Sequence, residues 1–315
     1  MEQEKKDKSW RNYKYWLLAV LLLAVSNAGV FYFWHRDTAS IKNIDQFRQQ
    51  YPALDPDRAL YDPKDLIVNT YPLGQQLKAI GQDQNVSIYF ESLNSGANIS
   101  VNKDLQVWPA SLMKIPLALA AMKKVEIGAW SLDKEFAITE EDKNADYGNL
   151  YNQPAGTQLS LRDLLDKLLV ESDNTARNVI ANNLTDADMD DVLNYLGIDY
   201  DYKNNGQITA KRYSIFWRAL FSSTYLQPEN SQTLIGIMAH SDANDFLAQG
   251  IPNNVEFSHK IGVLNAQQIY SDSGIVYVTD RPYILTVMVQ NHTQAEVEAI
   301  MKDVAQKTYQ YISSY

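Results

Sequence analysis

The stretch Trp108–Met122, WPASLMKIPLALAAM, places a serine and a lysine in front of a long apolar run. Lys114 follows Ser111 by three residues, and no polar residue occurs from Ile115 to Met122. A helix that is apolar on every side is normally buried in the middle of a domain. Because a lysine is seldom buried without a partner or a function, the stretch predicts a buried helix that holds Lys114 one turn away from Ser111.

The same S-x-x-K spacing occurs twice more, at Ser100 with Lys103 and at Ser131 with Lys134. Neither pair precedes an apolar run, since both lie in polar segments of hairpin or loop character. A pattern of two fixed residues is too short to be specific by itself. We therefore expect these pairs to be surface residues, and only the pair in front of the apolar run to carry chemistry.

The residues on both sides of this run indicate strands and helices. Residues 86–102 contain two strand-like runs around the turn signal Asn94-Ser95-Gly96. Leucines with helical spacing occupy residues 161–169 behind a capping serine, Ser160. Thr185 is the expected cap of a further helix.

Three strand candidates and one helix close the chain. The strands are expected at residues 257–263, 269–279 and 283–290. Thr293 and Glu296 have the spacing of a capping box, which predicts a helix after them. Two strands, a helical block, three strands and a helix together predict an α+β domain with one sheet covered by helices.

Two more motifs follow the serine–lysine pair. Ser172-Asp173-Asn174 stands in a segment that the pattern places between two helices, and Lys260-Ile261-Gly262 stands in a strand candidate. Serine–lysine, S-D-N and K-x-G in this order form the signature of class A β-lactamases and penicillin-binding proteins. From about Leu73 to residue 315 the chain therefore resembles a class A β-lactamase-like serine hydrolase.

The resemblance implies the β-lactamase/transpeptidase-like fold, an antiparallel sheet of about five strands covered by helices, with a helical subdomain. It also implies that Ser111 attacks a carbonyl to form an acyl-enzyme, with its own backbone N–H and that of Val263 as the oxyanion hole. Lys114 would take the serine proton, because burial and a nearby cation lower the pKa of an amine. The resemblance supplies Lys260 as that cation.

The other motif residues are implied to act on the substrate. Ser172 would pass a proton to the leaving nitrogen, and Asn174 would hold the substrate amide. Lys260 would attract the substrate carboxylate, with Gly262 completing its motif. Tyr147 lies where the family often has an aromatic wall, and surface packing is the alternative interpretation. The implied substrates are a β-lactam or a D-alanyl peptide of the cell wall.

Two departures from the family pattern concern turnover. Ile261 stands where a threonine or serine hydroxyl normally helps to bind the substrate carboxylate. Residues 198–208 contain no glutamate to activate a deacylating water, and Asp201 is the nearest analogue. We therefore expect a slowly hydrolysing acyl-enzyme. The alternatives are a working β-lactamase with an atypical base and an inactive wall-binding pseudo-hydrolase. His259 is expected to be a plain strand residue.

The first residues of the chain predict a membrane anchor. Residues 16–34 are uncharged and reach across a bilayer at about 1.5 Å per residue. Basic residues precede them, which predicts a cytoplasmic tail at 1–15, a single transmembrane helix at 16–34, an extracytoplasmic stalk at 35–72 and a hydrolase domain at 73–315. The chain is thus expected in the cell membrane with its catalytic domain outside. A cleaved signal peptide is the alternative.

Composition excludes several other classes of function. The chain has no cysteine, which removes disulfides, thiol nucleophiles and zinc–thiolate sites. A formal net charge of −10 argues against a general nucleic-acid binder. Asp186, Asp188 and Asp190 lack the glycine and glutamate of a calcium loop and suit the first turn of a helix instead. No metal or cofactor is expected.

Overall fold

The computed structural model describes residues 46–55, 66–204 and 206–315. The predicted tail and transmembrane helix, residues 1–34, lie outside this part of the chain. Among the described residues no helix combines the length and the apolar character needed to cross a bilayer. Residues 46–50 are helical, and the compact unit Ala53–Tyr315 contains all the elements named below.

The helices predicted at residues 161–169, after Thr185 and after Thr293 are all present, together with others whose bounds the sequence did not indicate. They are α1 Tyr71–Ile80, α2 Lys114–Glu126, α3 Leu161–Leu169, α4 Asn174–Asn183, α5 Asp186–Tyr195, α6 Ala210–Phe221, α7 Pro228–Met238 and α8 Gln294–Ser314.

The strands include the predicted hairpin and the three predicted closing strands. They are β1 Val86–Ser92, β2 Asn98–Val101, β3 Gln106–Val107, β4 Glu135–Ala137, β5 Gln158–Ser160, β6 Ile208–Thr209, β7 Phe257–Leu264, β8 Ile269–Val276 and β9 Tyr283–Gln290.

The main sheet has five strands in the order β2-β1-β9-β8-β7, and every neighbouring pair is antiparallel. The short strands form two separate antiparallel pairs, β3 with β6 and β4 with β5. The predicted antiparallel sheet covered by helices is thereby confirmed. Its edge strand β7 carries the K-x-G motif and packs against the 3-10 turn Ala110–Met113, which contains Ser111.

Each face of the sheet packs against helices. On one face, Val86, Ile88 and Phe90 of β1 join the hydrophobic core formed with α1 and α8. Burying a side chain of this size contributes about 1.5–3 kcal/mol. The alternate residues face α6, where Arg218 Nε donates to Glu91 Oε1 at 2.8 Å. The main sheet is therefore fixed between helices on both of its faces.

The predicted helix caps are present. Ser160 Oγ accepts from the backbone N–H of Asp163 at 3.1 Å and begins α3. Thr185 and Asp188 form a capping box at the start of α5, so Asp188 lies in the first turn of a helix as expected. The predicted capping box at Thr293 begins α8. Such caps satisfy the first backbone N–H groups of a helix and fix where it starts.

The apolar helix is buried as predicted but begins later than the motif. Every residue from Lys114 to Met122 is buried, whereas Ser111 lies in the preceding 3-10 turn, Ala110–Met113. Pro116 explains the start, because it has no N–H and is tolerated only in the first turn of a helix. In a 3-10 turn residues three apart eclipse each other, so the serine and the lysine still point to the same side.

Candidate active site

Ser111 and Lys114 line one cavity of about 800 Å³. Its wall also contains Asn174 from α4, Val263 from β7 and Tyr147 from the loop before the S-D-N motif. These five residues were predicted from separate parts of the sequence. The fold brings them to a single concave surface of the size that small ligands occupy.

The Lys114 amine connects the first motif to the second. Its Nζ donates to Ser172 Oγ at 3.0 Å and to Asn174 Oδ1 at 2.8 Å, and it also bonds the backbone oxygen of Ser172. Only 4% of the lysine is exposed. The side chain is therefore held at the floor of the cavity by three oxygen atoms, in reach of a hydroxyl that can relay a proton.

The surroundings of Lys114 favour its neutral form. Its pKa is lowered to about 6, first by burial and then by the positive charges of Lys260 and Arg177, against a smaller opposing effect of Asp173. An amine with this pKa is mostly unprotonated at neutral pH. In this neutral form Nζ donates to at most two of its three oxygen partners, and its lone pair is offered to a neighbouring hydroxyl.

The turn around Ser111 is conformationally strained. Ala110 has φ 51° and Ser172, in the S-D-N turn, has φ 57°, values that non-glycine residues seldom adopt. Each such residue costs on the order of 1 kcal/mol and persists only where its surroundings enforce it. Tyr213 of α6 enforces the conformation of the turn at Ala110, since its buried hydroxyl donates to Leu112 O at 2.7 Å. Strain of this kind often marks a functional site.

Asp173, the middle residue of S-D-N, fixes the second turn. Its carboxylate is fully buried and accepts from the backbone N–H groups of Ala176 at 2.9 Å, Asn149 at 2.7 Å and Leu150 at 2.9 Å. It thereby caps α4 and ties the loop of Tyr147 to that helix. Gly148 is required here, because a Cβ would lie 2.0 Å from the Asp173 carboxylate and φ is +86°.

Strand β7 closes the cavity from the sheet side. Val263 lines the wall, while Gly262 lies against the nucleophile turn, where a Cβ would come within 2.4 Å of Pro109 O. Gly262 thus lets the strand approach Ser111 closely. Ile261 is half-buried and packs against the hydrophobic core rather than lining the cavity. It adds no hydroxyl to the wall.

Lys260 lies behind the wall rather than in it. It is 1% exposed, and its Nζ is 3.4 Å from Ile261 O, so it does not line the cavity among the residues that the structure describes. Burial lowers the pKa of Lys260 to about 8, with Asp272 opposing this effect. The side chain therefore carries a positive charge at neutral pH that acts on Lys114 through the protein interior.

The remaining candidates are engaged elsewhere. His259 Nδ1 lies 2.9 Å from Asp272 Oδ1, and the ring is buried and stacked on Phe257, as suits a strand residue. The Asp201 carboxylate accepts from Asn204 Nδ2 at 2.8 Å and from its backbone N–H at 3.1 Å, and these bonds lower the pKa of Asp201. In the described part of the chain no group of acidic and histidine side chains could hold a metal ion.

Sequence reasoning missed three residues of the site. The role of Asp173 could have been found from the sequence, since an aspartate directly before a helix is a favoured N-cap. The role of Tyr213 could not have been found in this way, because its hydroxyl meets a carbonyl distant in sequence only in the folded protein. Arg177 lies one turn after Asn174 and lines the cavity. The sequence alone did not indicate this, because a single arginine on a helix is usually a surface residue.

Comparison with known proteins shows the family of the chain. A profile of the β-lactamase enzyme family matches residues 72–312. The VEB-1 β-lactamase of Pseudomonas aeruginosa is 22% identical over 287 residues, which cover 77% of this chain and 89% of the relative.

Solved structures share the fold. The structure of PBP-A is similar with a TM-score of 0.70 and 22% identity, over 78% of this chain and 97% of that one. A single-substitution mutant of PBP-A, solved as an acyl-enzyme complex with penicillin G, gives the same TM-score of 0.70 at 21% identity, over 78% of this chain and 97% of that one. A β-lactamase from Sphaerobacter thermophilus gives a TM-score of 0.70 and 19% identity, over 79% of this chain and 99% of that one. The fold and the resemblance drawn from the three motifs are confirmed, and the chain belongs to the β-lactamase enzyme family.

Proposed function

We propose that the protein is a serine hydrolase that forms an acyl-enzyme at Ser111 with a β-lactam or a D-alanyl peptide of the cell wall. One observation carries the proposal: a buried lysine with its pKa lowered to about 6 shares a cavity with Ser111. Such a lysine is the general base that a serine nucleophile needs. Membership of the β-lactamase enzyme family supports the choice of substrate.

Acylation would proceed by three proton transfers, while one carbon–oxygen bond forms and one carbon–nitrogen bond breaks. Lys114 Nζ takes the Ser111 hydroxyl proton while Oγ attacks the carbonyl carbon. The carbon–nitrogen bond then breaks, and the leaving nitrogen receives the Ser172 hydroxyl proton. Lys114 returns its extra proton to Ser172 across the 3.0 Å hydrogen bond between them. Every proton is accounted for, and the lysine is neutral again at the end of the step.

The other cavity residues would position the substrate. The backbone N–H groups of Ser111 and Val263 would receive the oxyanion, since β7 is an edge strand with unpaired backbone groups. Asn174 would hold the acyl amide and Tyr147 would cover it. Lys260 would attract the substrate carboxylate through its buried charge. Gly262 would keep β7 close enough for these contacts.

Deacylation would be slow, because no suitable base faces the ester. Among the described residues no glutamate lines the cavity. Asp201 is held in its own turn by Asn204. Asp186, which does line the cavity, is paired with Lys203 at 2.7 Å. Removing a general base costs roughly 10²–10⁴-fold in rate.

A pulse of penicillin followed by mass spectrometry tests the proposal. A turnover of about 10 per second, typical of enzymes, would fall to an adduct lifetime of about 10 to 1,000 s. We expect intact protein carrying one penicillin mass on the peptide that contains Ser111, persisting on that scale with little hydrolysed antibiotic in solution.

The same experiment separates the alternatives. Rapid hydrolysis with no detectable adduct would indicate a working β-lactamase with another base and would refute slow deacylation. Asp201→Asn would then be compared with the unchanged protein. Absence of both adduct and hydrolysis, for penicillins and for D-alanyl peptides, would favour a wall-binding pseudo-hydrolase.

We also propose that the chain is anchored by residues 16–34 with its hydrolase domain outside the cell membrane. The uncharged span and the basic residues before it support this topology. Protease added to intact cells should then digest the domain and leave a small N-terminal fragment. Protection of the whole chain until the cells are lysed would contradict the outside position.

A further inference from the structure

Arg177 stands in the cavity wall without a role in the acylation step. It lies on α4 three residues after Asn174, and both side chains line the cavity. Three residues advance a helix by about 4.5 Å and keep the same face. Arg177 is therefore the neighbour of Asn174 on the same face of the helix, in the cavity wall.

The charge of Arg177 is not neutralised by the protein. Its Nη1 donates to the amide oxygen of Asn178 at 2.9 Å, and no carboxylate of the described residues forms an ion pair with it. The two acidic side chains of the wall are engaged elsewhere, Asp186 with Lys203 and Asp146 with the Asn144 amide. Arg177 is exposed to solvent in the cavity, so its remaining donors are available to a ligand.

The position of Arg177 decides which part of a substrate it can meet. Strand β7 contributes Val263 to the cavity wall, and α4 contributes Asn174 and Arg177. In the proposed function, Asn174 holds the acyl amide, so a group reaching Arg177 belongs to the acyl side. An arginine binds a carboxylate with two parallel hydrogen bonds, which makes it a recognition residue for that group.

We infer that Arg177 binds a carboxylate carried on the acyl side of the substrate, and so selects acidic acyl groups. The inference rests on the proposed function, because the acyl side is defined by the attack of Ser111. The cavity wall also contains Leu184, Met189 and Tyr200, whose apolar surfaces would accept the carbon skeleton next to that carboxylate.

Two penicillins test the inference as a matched pair. Carbenicillin is benzylpenicillin with one additional carboxylate on its acyl side chain, so the ring and the phenyl group are shared. Acylation rates of both are measured on the full-length chain at about pH 7.5, above the pKa of Lys114. We expect Arg177→Ala to reduce the carbenicillin rate relative to the benzylpenicillin rate by about tenfold, the usual effect of losing a charged hydrogen bond.

The ratio of the two rates isolates the carboxylate contact. Loss of a cation near Lys114 affects both penicillins equally and cancels in the ratio. Arg177→Lys should recover part of the ratio, because the charge is kept and the paired geometry is lost. Arg162→Ala removes an exposed arginine outside the cavity, so it should leave the ratio unchanged.

Binding to Ser111→Ala separates this inference from the proposed function. That variant cannot be acylated, so calorimetry gives the dissociation constants of both penicillins with and without Arg177→Ala. A tenfold change in the ratio of the two dissociation constants supports the carboxylate site at Arg177. This holds even if the unchanged protein is never acylated. Failure of acylation would refute the acyl-enzyme proposal and leave the assignment of Arg177 intact. An equal loss for both penicillins, or no loss for either, would overturn the assignment of Arg177.

Discussion

Replacing Ser111 by alanine will abolish covalent labelling of the protein by a fluorescent penicillin. The acyl group has no other acceptor in the proposed mechanism, because the chain contains no cysteine and Ser172 lies with its hydroxyl on Lys114 as a relay. Labelling is measured by in-gel fluorescence after incubation for longer than the expected adduct lifetime. We expect a signal below one hundredth of that of the unchanged protein, since removal of a nucleophile leaves no covalent route.

The two other S-x-x-K serines provide matched controls. Ser100 is on β2 and Ser131 is exposed in a loop, and neither lines the cavity. Ser100→Ala and Ser131→Ala should therefore label at the native rate. If Ser111→Ala kept the native rate while either control lost it, the nucleophile would have been assigned to the wrong motif.

The sequence was sufficient to predict local structure wherever residues close together in the chain determine it. The apolar run after Lys114 can only be a buried helix, and Pro116 limits how far back that helix extends. Ser160, Thr185 and Thr293 begin helices through hydrogen bonds within the next few residues. Local chemistry of this kind is the same in the sequence and in the folded protein.

Contacts between distant parts of the chain could not be predicted in this way. Tyr213 supports the nucleophile turn across about a hundred residues of sequence, and Gly262 is needed only because Pro109 lies against it. Lys260 is buried by the packing of β7, which the pattern of its own strand does not indicate. Each of these contacts depends on which helices and strands pack together. The residue pattern of a single segment does not determine that packing.

The acylation rate will rise with pH and then become constant above about pH 6. Only the neutral amine of Lys114 can take the serine proton, and its pKa is lowered to about 6. Below that value the neutral fraction falls tenfold for each pH unit, so the rate should fall with the same slope. Stopped-flow or quench measurements of labelling against pH give the midpoint directly.

Removing Lys114 tests the same base independently of pH. Lys114→Ala should slow acylation by roughly 10²–10⁴-fold and remove the pH dependence near 6, as expected for loss of a positioned base. Lys103 and Lys134 are the lysines of the other two S-x-x-K pairs. Lys103→Ala and Lys134→Ala should leave the acylation rate and its pH dependence unchanged.

The midpoint itself identifies what lowers the pKa of Lys114. Arg177 contributes a neighbouring positive charge, so Arg177→Ala should shift the midpoint to higher pH, whereas Arg162→Ala should not. A buried amine that lost its neighbouring cation would still be desolvated, so the shift should be smaller than a full return towards the ordinary lysine value. A midpoint that did not move in Arg177→Ala, together with a native rate in Lys114→Ala, would mean that another group deprotonates Ser111. The short path from Lys114 to the leaving nitrogen through Ser172 would then have no part in the reaction.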